Sequence, residues 1–430
     1  MHMNPIPIIL QKKAKELERK TAEKYPELAP LAARCFLNTM ETTVTQLADG
    51  SYFVITGDIP AMWLRDSAAQ LKPYLKYAAE DEALREILRS VLAKQAFYVN
   101  LDPYTNAFNS EKLEKGYSEA DRSDFSSGWI WERKYEVDSL CAPLYFAHEY
   151  FGVTGDRAIF TPEFRKMVET ILHTFRVEQR HMTDSPYWFI RENAWAPSDT
   201  LPMNGKGRPV NFTGMTWSGF RPSDDSCKFG FLLPANMMAV VALQKAAELS
   251  SIGYEDADLG ARCLELASEI EDGIETYGVV EHPKYGKIYA YETDGFGNYN
   301  LMDDANSPSL LSIPYLGYRS ASDPVYQNTR QFLLSEDNPY YVNGTAARGI
   351  GSPHTPPGYI WHIGLTMQIL TSIDPAEKQE CLAMLARTHA GTNFMHEGFD
   401  ANDPTKFTRS WFAWANSLFA QMLEEEMEAE

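Results

Sequence analysis

Residues 231–250 read FLLPANMMAVVALQKAAELS, and five residues later 256–278 read DADLGARCLELASEIEDGIETYG. Apolar side chains recur along both at i, i+3, i+4 and i+7, the pattern of helices that bury one face. So short a connection between two such runs implies a helical hairpin. The same periodicity appears to either side, in PELAPLAARCFLNTMETTVTQL at 26–47, DEALREILRSVLAKQAFYVN at 81–100 and EVDSLCAPLYFAHEYFGV at 136–153. Strand signals are few and short, SYFVIT at 51–56 and KIYAY at 287–291. Long segments rich in Gly, Pro, Asn, Asp and aromatics separate the helical runs at 101–134, 183–227, 293–308 and 338–358. No low-complexity linker or shift in composition divides the chain, so residues 1–430 are expected to form one domain. Helices alternating with short and long connections fit an all-α fold of hairpins closed in a ring, an (α/α) barrel. Long loops in a compact domain are usually functional, and in such a ring they would gather at one end to wall a pocket.

Composition narrows what that pocket takes. A formal charge of −20 would repel a phosphate backbone, so no nucleic-acid partner is expected. Nine Trp, 23 Tyr and 22 Phe exceed what packing alone usually requires and suit the flat apolar faces of sugars. The five cysteines, Cys35, Cys141, Cys227, Cys263 and Cys381, form no C-x-x-C pair and read as reduced, mostly buried thiols. No apolar run approaches the roughly 18 residues of a membrane span. The first residues also lack the pattern of a secretory leader, so the expected location is cytoplasmic, with no membrane partner. The nine histidines form neither H-x-x-x-H nor H-x-x-E-H, and Walker, G-x-G-x-x-G and EF-hand motifs are missing, so no metal or cofactor is expected.

Three clusters carry candidate chemistry. In GDIPAMWLRDSAAQ at 57–70, Ser67-Ala-Ala-Gln70 reads as a capping box that starts a helix at Ser67, with Pro73 as a kink or the true first turn. Asp66 then serves the helix dipole, but a cation such as Arg65 is unfavourable there. Trp63, Arg65 and Asp66 together offer an apolar face, a fork of donors and an acceptor, a set suited to sugar hydroxyls; the alternative is a structural ion pair. In GMTWSGFRPSDDSCKFGF at 214–231, Asp224 and Asp225 either cap the next helix or hold one raised pKa for a general acid. In HEGFDANDPTKFTRSWFAW at 396–414, Glu397 is either a solvated loop acid or a general base held by Arg409 or His396. Trp129 and Trp131 near Glu132, the pair Asp303 and Asp304, and His354 with Trp361 mark further loops as possible pocket walls.

In combination these three motifs strongly resemble glycoside hydrolase family 125, and the likeness runs over roughly residues 25–425. The resemblance implies an (α/α)6 barrel and an inverting, metal-independent exo-α-1,6-mannosidase acting on an α-mannoside or N-glycan-derived oligosaccharide. Carried over, the general base falls on Glu397 and the general acid in Ser-Asp-Asp. Asp224 matches the acid position of the Gly-x-Asp-x-Ser segment in trehalases and processing glucosidases, with Asp225 the alternative. Trp63, Arg65, Asp66, Trp129, Arg221, Asp225 and His354 are the expected substrate-binding residues. Trp131-Glu132 only partly echoes the Trp-Glu-Glu acid segment of glucoamylases. Inversion leaves room for a water, so the two catalytic carboxyls should stand about 6.5–9.5 Å apart. The rivals are an inverting exo-glucosidase, a terpene cyclase or epimerase on a similar barrel, and a mannoside-binding protein that leaves its ligand intact.

Overall fold

A computed structural model describes residues 6–114 and 120–428, so part of the loop expected over 101–134 lies outside the described residues. The helices are α1 (Ile8–Lys24), α2 (Ala29–Thr42), α3 (Leu64–Leu71), α4 (Glu82–Leu101), α5 (Val137–Thr154), α6 (Pro162–Glu178), α7 (His181–Asp184), α8 (Leu233–Tyr254), α9 (Ala257–Tyr277), α10 (Ile313–Leu316), α11 (Pro324–Leu333), α12 (His362–Thr371), α13 (Pro375–Thr388) and α14 (Ala413–Glu428). Each of α3, α5, α8, α10, α12 and α14 packs on the next of that series, and α14 returns to α3, which closes an inner ring. Outside it, α2 lies on α14, α4 on α5, α9 on α8 and α13 on α12.

The division into inner and outer helices follows from side-chain pattern. In α8 every residue from Leu233 to Leu243 is buried, as a helix apolar all round must be. In α9 the buried set is Leu259, Gly260, Cys263, Leu266, Ala267, Ile270, Gly273 and Ile274, a single stripe. The one-face expectation therefore holds for the outer helix and understates the inner one. One apolar core runs through the ring from Leu10 to Leu423. Among the described residues no helix is long and apolar enough to cross a membrane.

Two expectations are corrected. The run 26–47 does not stay helical to its end. Val44–Gln46 pairs antiparallel with Tyr52–Val54, where β-branched Val44 and Thr45 favour a strand. Nor does Ser67 begin α3, which starts at Leu64 with no side-chain cap. The backbone explains this: the Leu64 N–H donates to the Asn106 carbonyl at 3.2 Å, so strand pairing supplies the partner that a cap would have given. The Ser67 hydroxyl instead donates back to the Leu64 carbonyl at 3.1 Å. Pro73 sits at the start of a 3-10 turn, Lys72–Tyr77, that continues α3.

Connections from an inner helix to its outer partner are short, 255–256 after α8 and 372–374 after α12. Those leading into an inner helix are long, 179–232, 278–312 and 389–412. Short strands end several of them immediately before the helix: Met62–Trp63 before α3, Phe231–Leu232 before α8 and Tyr359–Trp361 before α12. The long loops thus gather at the N-terminal end of the inner ring, where helix dipoles favour negative charge.

Candidate active site

At that end a cavity is lined by residues from five of the long connections and from the helix starts that follow them, among them Trp63, Arg65, Asp66, Asp224, His354 and Glu397. The three sequence clusters therefore converge. Strand pairing does much of the work: Met62–Trp63 pairs with Ala107–Phe108, which pairs with Ile130–Glu132, and Tyr359–Trp361 pairs with Gly398–Asp400. The last of these pairings sets the Trp361 wall beside the loop of Glu397.

Arg65 is an ion-pair residue, as the structural alternative for the 57–70 cluster had it, and it is also part of the cavity wall. Its Nη1 donates to Glu136 Oε2 at 2.7 Å and Asp138 Oδ2 at 2.8 Å, and its Nη2 to Asp66 Oδ2 at 3.1 Å. The guanidinium also lies 5.3 Å from the Trp414 ring centre. All four charged groups are buried. A lone cation in the first turn of α3 is tolerable only because three carboxylates surround it, and one Arg cannot neutralise all three. Burial, only partly offset by Arg65, drives Glu136 well above the usual carboxylate range and raises Asp138 and Asp66 as well.

The two adjacent aspartates face different surroundings. Asp224 lines the cavity, and its Oδ1 accepts from Asn106 Nδ2 at 3.1 Å. The same amide reaches Glu132 at 3.2 Å and Glu136 at 3.4 Å. Lys134 Nζ holds the Asp224 backbone carbonyl at 2.9 Å and Asp199 at 2.8 Å. Asp225 is not part of the lining; it is buried and paired with His354 Nδ1 at 3.5 Å. Burial would raise the Asp225 pKa, but His354 and Ser198 more than offset it and hold the group below the usual carboxylate range. For His354 burial works against the charge, yet Asp225, with Glu397 and Asp224 farther off, lifts its pKa to about 9.

Glu397 is buried and lines the cavity, with Arg409 Nη1 3.7 Å from its Oε1. Of its two expected holders only Arg409 reaches it. His396 turns away, its Nδ1 3.2 Å from the Arg409 carbonyl and its ring stacked on Phe407 at 3.8 Å. Arg409 is itself fixed by Asp58, whose carboxylate receives Nε at 2.9 Å. The 57–70 segment therefore braces the loop of Glu397 as well as forming a wall.

Besides Asp225, two more of the expected substrate-binding residues, Trp129 and Arg221, stand outside the cavity lining. Trp129 packs against Phe97 and Tyr98, at ring separations of 5.3 and 6.3 Å. Arg221 is buried behind the wall in an ion pair with Glu292 at 2.7 Å. Glu132 is likewise occupied, by Arg191 at 2.8 Å and by Asn106. Asp303 caps the backbone N–H groups of Leu310 and Leu311, and Asp304 accepts from Ser223 at 2.9 Å, bracing the Asp224 loop. Sequence reading missed Asn106 and Asp58 as site residues. No motif marks Asn106; Asp58 stood in the quoted stretch without a partner in view.

Comparison with known proteins places the chain in a family. A family model described as metal-independent α-mannosidase (GH125) matches residues 25–424. The meiotically up-regulated gene 157 protein of Schizosaccharomyces pombe is 40% identical over 417 residues, covering 92% of this chain and 82% of that protein. A metal-independent α-mannosidase of Streptococcus pneumoniae, solved as a non-productive complex with α-1,6-mannobiose, superposes with a TM-score of 0.94 at 46% identity, covering 98% of this chain and 99% of its own. The glucoamylase of Saccharomycopsis fibuligera shares the barrel alone, with a TM-score of 0.56 at 11% identity over 98% of this chain and 96% of that one. The chain thus belongs to the GH125 family of metal-independent α-mannosidases, glycoside hydrolases built on an (α/α)6 barrel.

Proposed function

We propose that this α-mannosidase is exo-acting and inverting, and releases one terminal mannose from the non-reducing end of α-1,6-linked mannosides, including oligosaccharides derived from N-glycans. Asp224, protonated, gives its proton to the glycosidic oxygen as that bond to the anomeric carbon breaks. Glu397, ionised, takes a proton from the water that attacks the same carbon from the opposite face, so the product is β-mannose. Arg65, Asp66 and Trp63 hold the terminal sugar, and Arg65 with Trp414 forms a floor that stops the chain from extending further, which supports exo action.

The observation that carries this reading is the separation of the acids by environment. Asp224 and Glu397 reach one cavity from two different loops, whereas Asp225 and Glu132 are spent in ion pairs. An ionised Asp225 paired with His354 has no proton to give, which favours Asp224 as the acid. Support for the linkage comes from the S. pneumoniae enzyme, which was solved as a non-productive complex with α-1,6-mannobiose in work on the processing of N-linked glycans. The proposal extends to a reducing, cytoplasmic location, supported by five free and buried cysteines. Anomer-resolved NMR of α-1,6-mannobiose digestion tests substrate, linkage and stereochemistry together. β-Mannose as the first product is the expected result; α-mannose first, or no turnover, overturns it.

A further inference from the structure

The geometry points to Trp195 as the platform on which the leaving sugar stacks. With 69% of its surface exposed, Trp195 is the most exposed large apolar side chain among the described residues. An indole left in water gains about 25 cal/mol for each Å² of apolar surface that a ligand covers, and fold packing makes little use of this one. It stands at the cavity mouth: its ring centre is 6.0 Å from that of His354, at 82° to it, and His354 lines the cavity.

Its loop is anchored to the acid. Trp195 precedes the short turn Pro197–Asp199, and Asp199 is gripped by Lys134 at 2.8 Å and Arg191 at 2.9 Å. The same Lys134 holds the Asp224 backbone carbonyl. The inference rests on the proposed roles above: the acid protonates the glycosidic oxygen, so the leaving residue lies on the acid's side, to which Lys134 ties the loop of Trp195. The ligand class is a neutral pyranose presenting its C–H face to the indole.

The test compares α-1,6-mannobiose with α-mannosyl fluoride, which has no second ring. In W195A the ratio of kcat/KM for mannobiose to that for the fluoride should fall at least tenfold, mainly through KM, and W195F should restore most of it. A wild-type enzyme that cleaves both substrates, with the ratio unchanged in W195A, overturns the role of Trp195 alone. A wild type that cleaves the fluoride but not mannobiose overturns the α-1,6 reading and this inference with it.

Discussion

Asp224 and Arg409 share an uncommon backbone. Their φ angles are +68° and +50°, in the left-handed region that side-chain-bearing residues seldom adopt, and both line the cavity. Such conformations persist only where the surroundings enforce them, and they concentrate at functional sites. Here Lys134 pins the Asp224 carbonyl and Asp58 clamps the Arg409 side chain. Spacing alone leaves Asp224 and Asp225 equivalent, because adjacency and not environment is visible in sequence; only the family resemblance ranks Asp224 first. Burial and His354 make them unlike. Asp224→Asn should therefore lower kcat on α-1,6-mannobiose about 10²–10⁴-fold with little change in KM. On the proposed roles Asp225→Asn keeps the proton donor and should cost substantially less; a larger loss in steady-state kinetics for Asp225→Asn than for Asp224→Asn would reverse the assignment. Asn106 was invisible at this scale, since a loop amide that touches three carboxylates carries no signature along the chain.

Elements join these residues into a site. Gly57 pairs with Phe412 at a φ of +139°, and a Cβ there would meet the Trp411 carbonyl oxygen at 2.3 Å. Only glycine lets the segment of Asp58 approach the segment of Arg409. Helix hairpins were legible because their apolar spacing is local. The start of α3 was not, because its partner is the Asn106 carbonyl, 42 residues away from Leu64. At the start of α12 a histidine makes a similar tie. His362 Nδ1 accepts the His396 N–H at 2.9 Å, next to Glu397, while Nε2 lies 3.2 Å from the Thr388 hydroxyl. Burial, with His396 nearby, depresses the His362 pKa from 6.5 to about 3. The unfolded chain therefore binds a proton between pH 6.5 and about 3 that the folded chain refuses, and stability falls as pH drops through that window, by about 1.4 kcal/mol per unit. Above pH 6.5 the contribution is fully present. In urea titrations the stability gap between wild type and His362→Gln should narrow as pH is lowered from 6.5 to 4. A constant gap would show that His362 is protonated in the fold.

Closure of the ring is a property of the whole molecule and decides which ends are dispensable. Sequence periodicity announced hairpins but not their order around an axis, because ring contacts join helices far apart in the chain. α14 packs on α2, α3 and α12 at once. Every residue from Ala413 to Ala420 is buried, and Trp414 lines the cavity. α1 instead lies outside on α2 and α14, burying only Leu10, Ala14, Leu17 and Thr21, and the family match begins after it, at residue 25. Its two leucines are worth about 1.5–3 kcal/mol each on burial, reduced by the entropy of ordering the helix. A chain lacking residues 1–24 should therefore fold and cleave mannoside, with a Tm lower by a few degrees. A chain ending before Ala413 uncovers the inner faces of α3 and α12 and removes Trp414 from the cavity lining. It should show no single cooperative transition by calorimetry and should bind a hydrophobic dye in the absence of denaturant. A cooperative transition and turnover in that shorter chain would mean that the barrel does not depend on closure, whereas loss of folding on removal of α1 alone would place that helix within the ring's core.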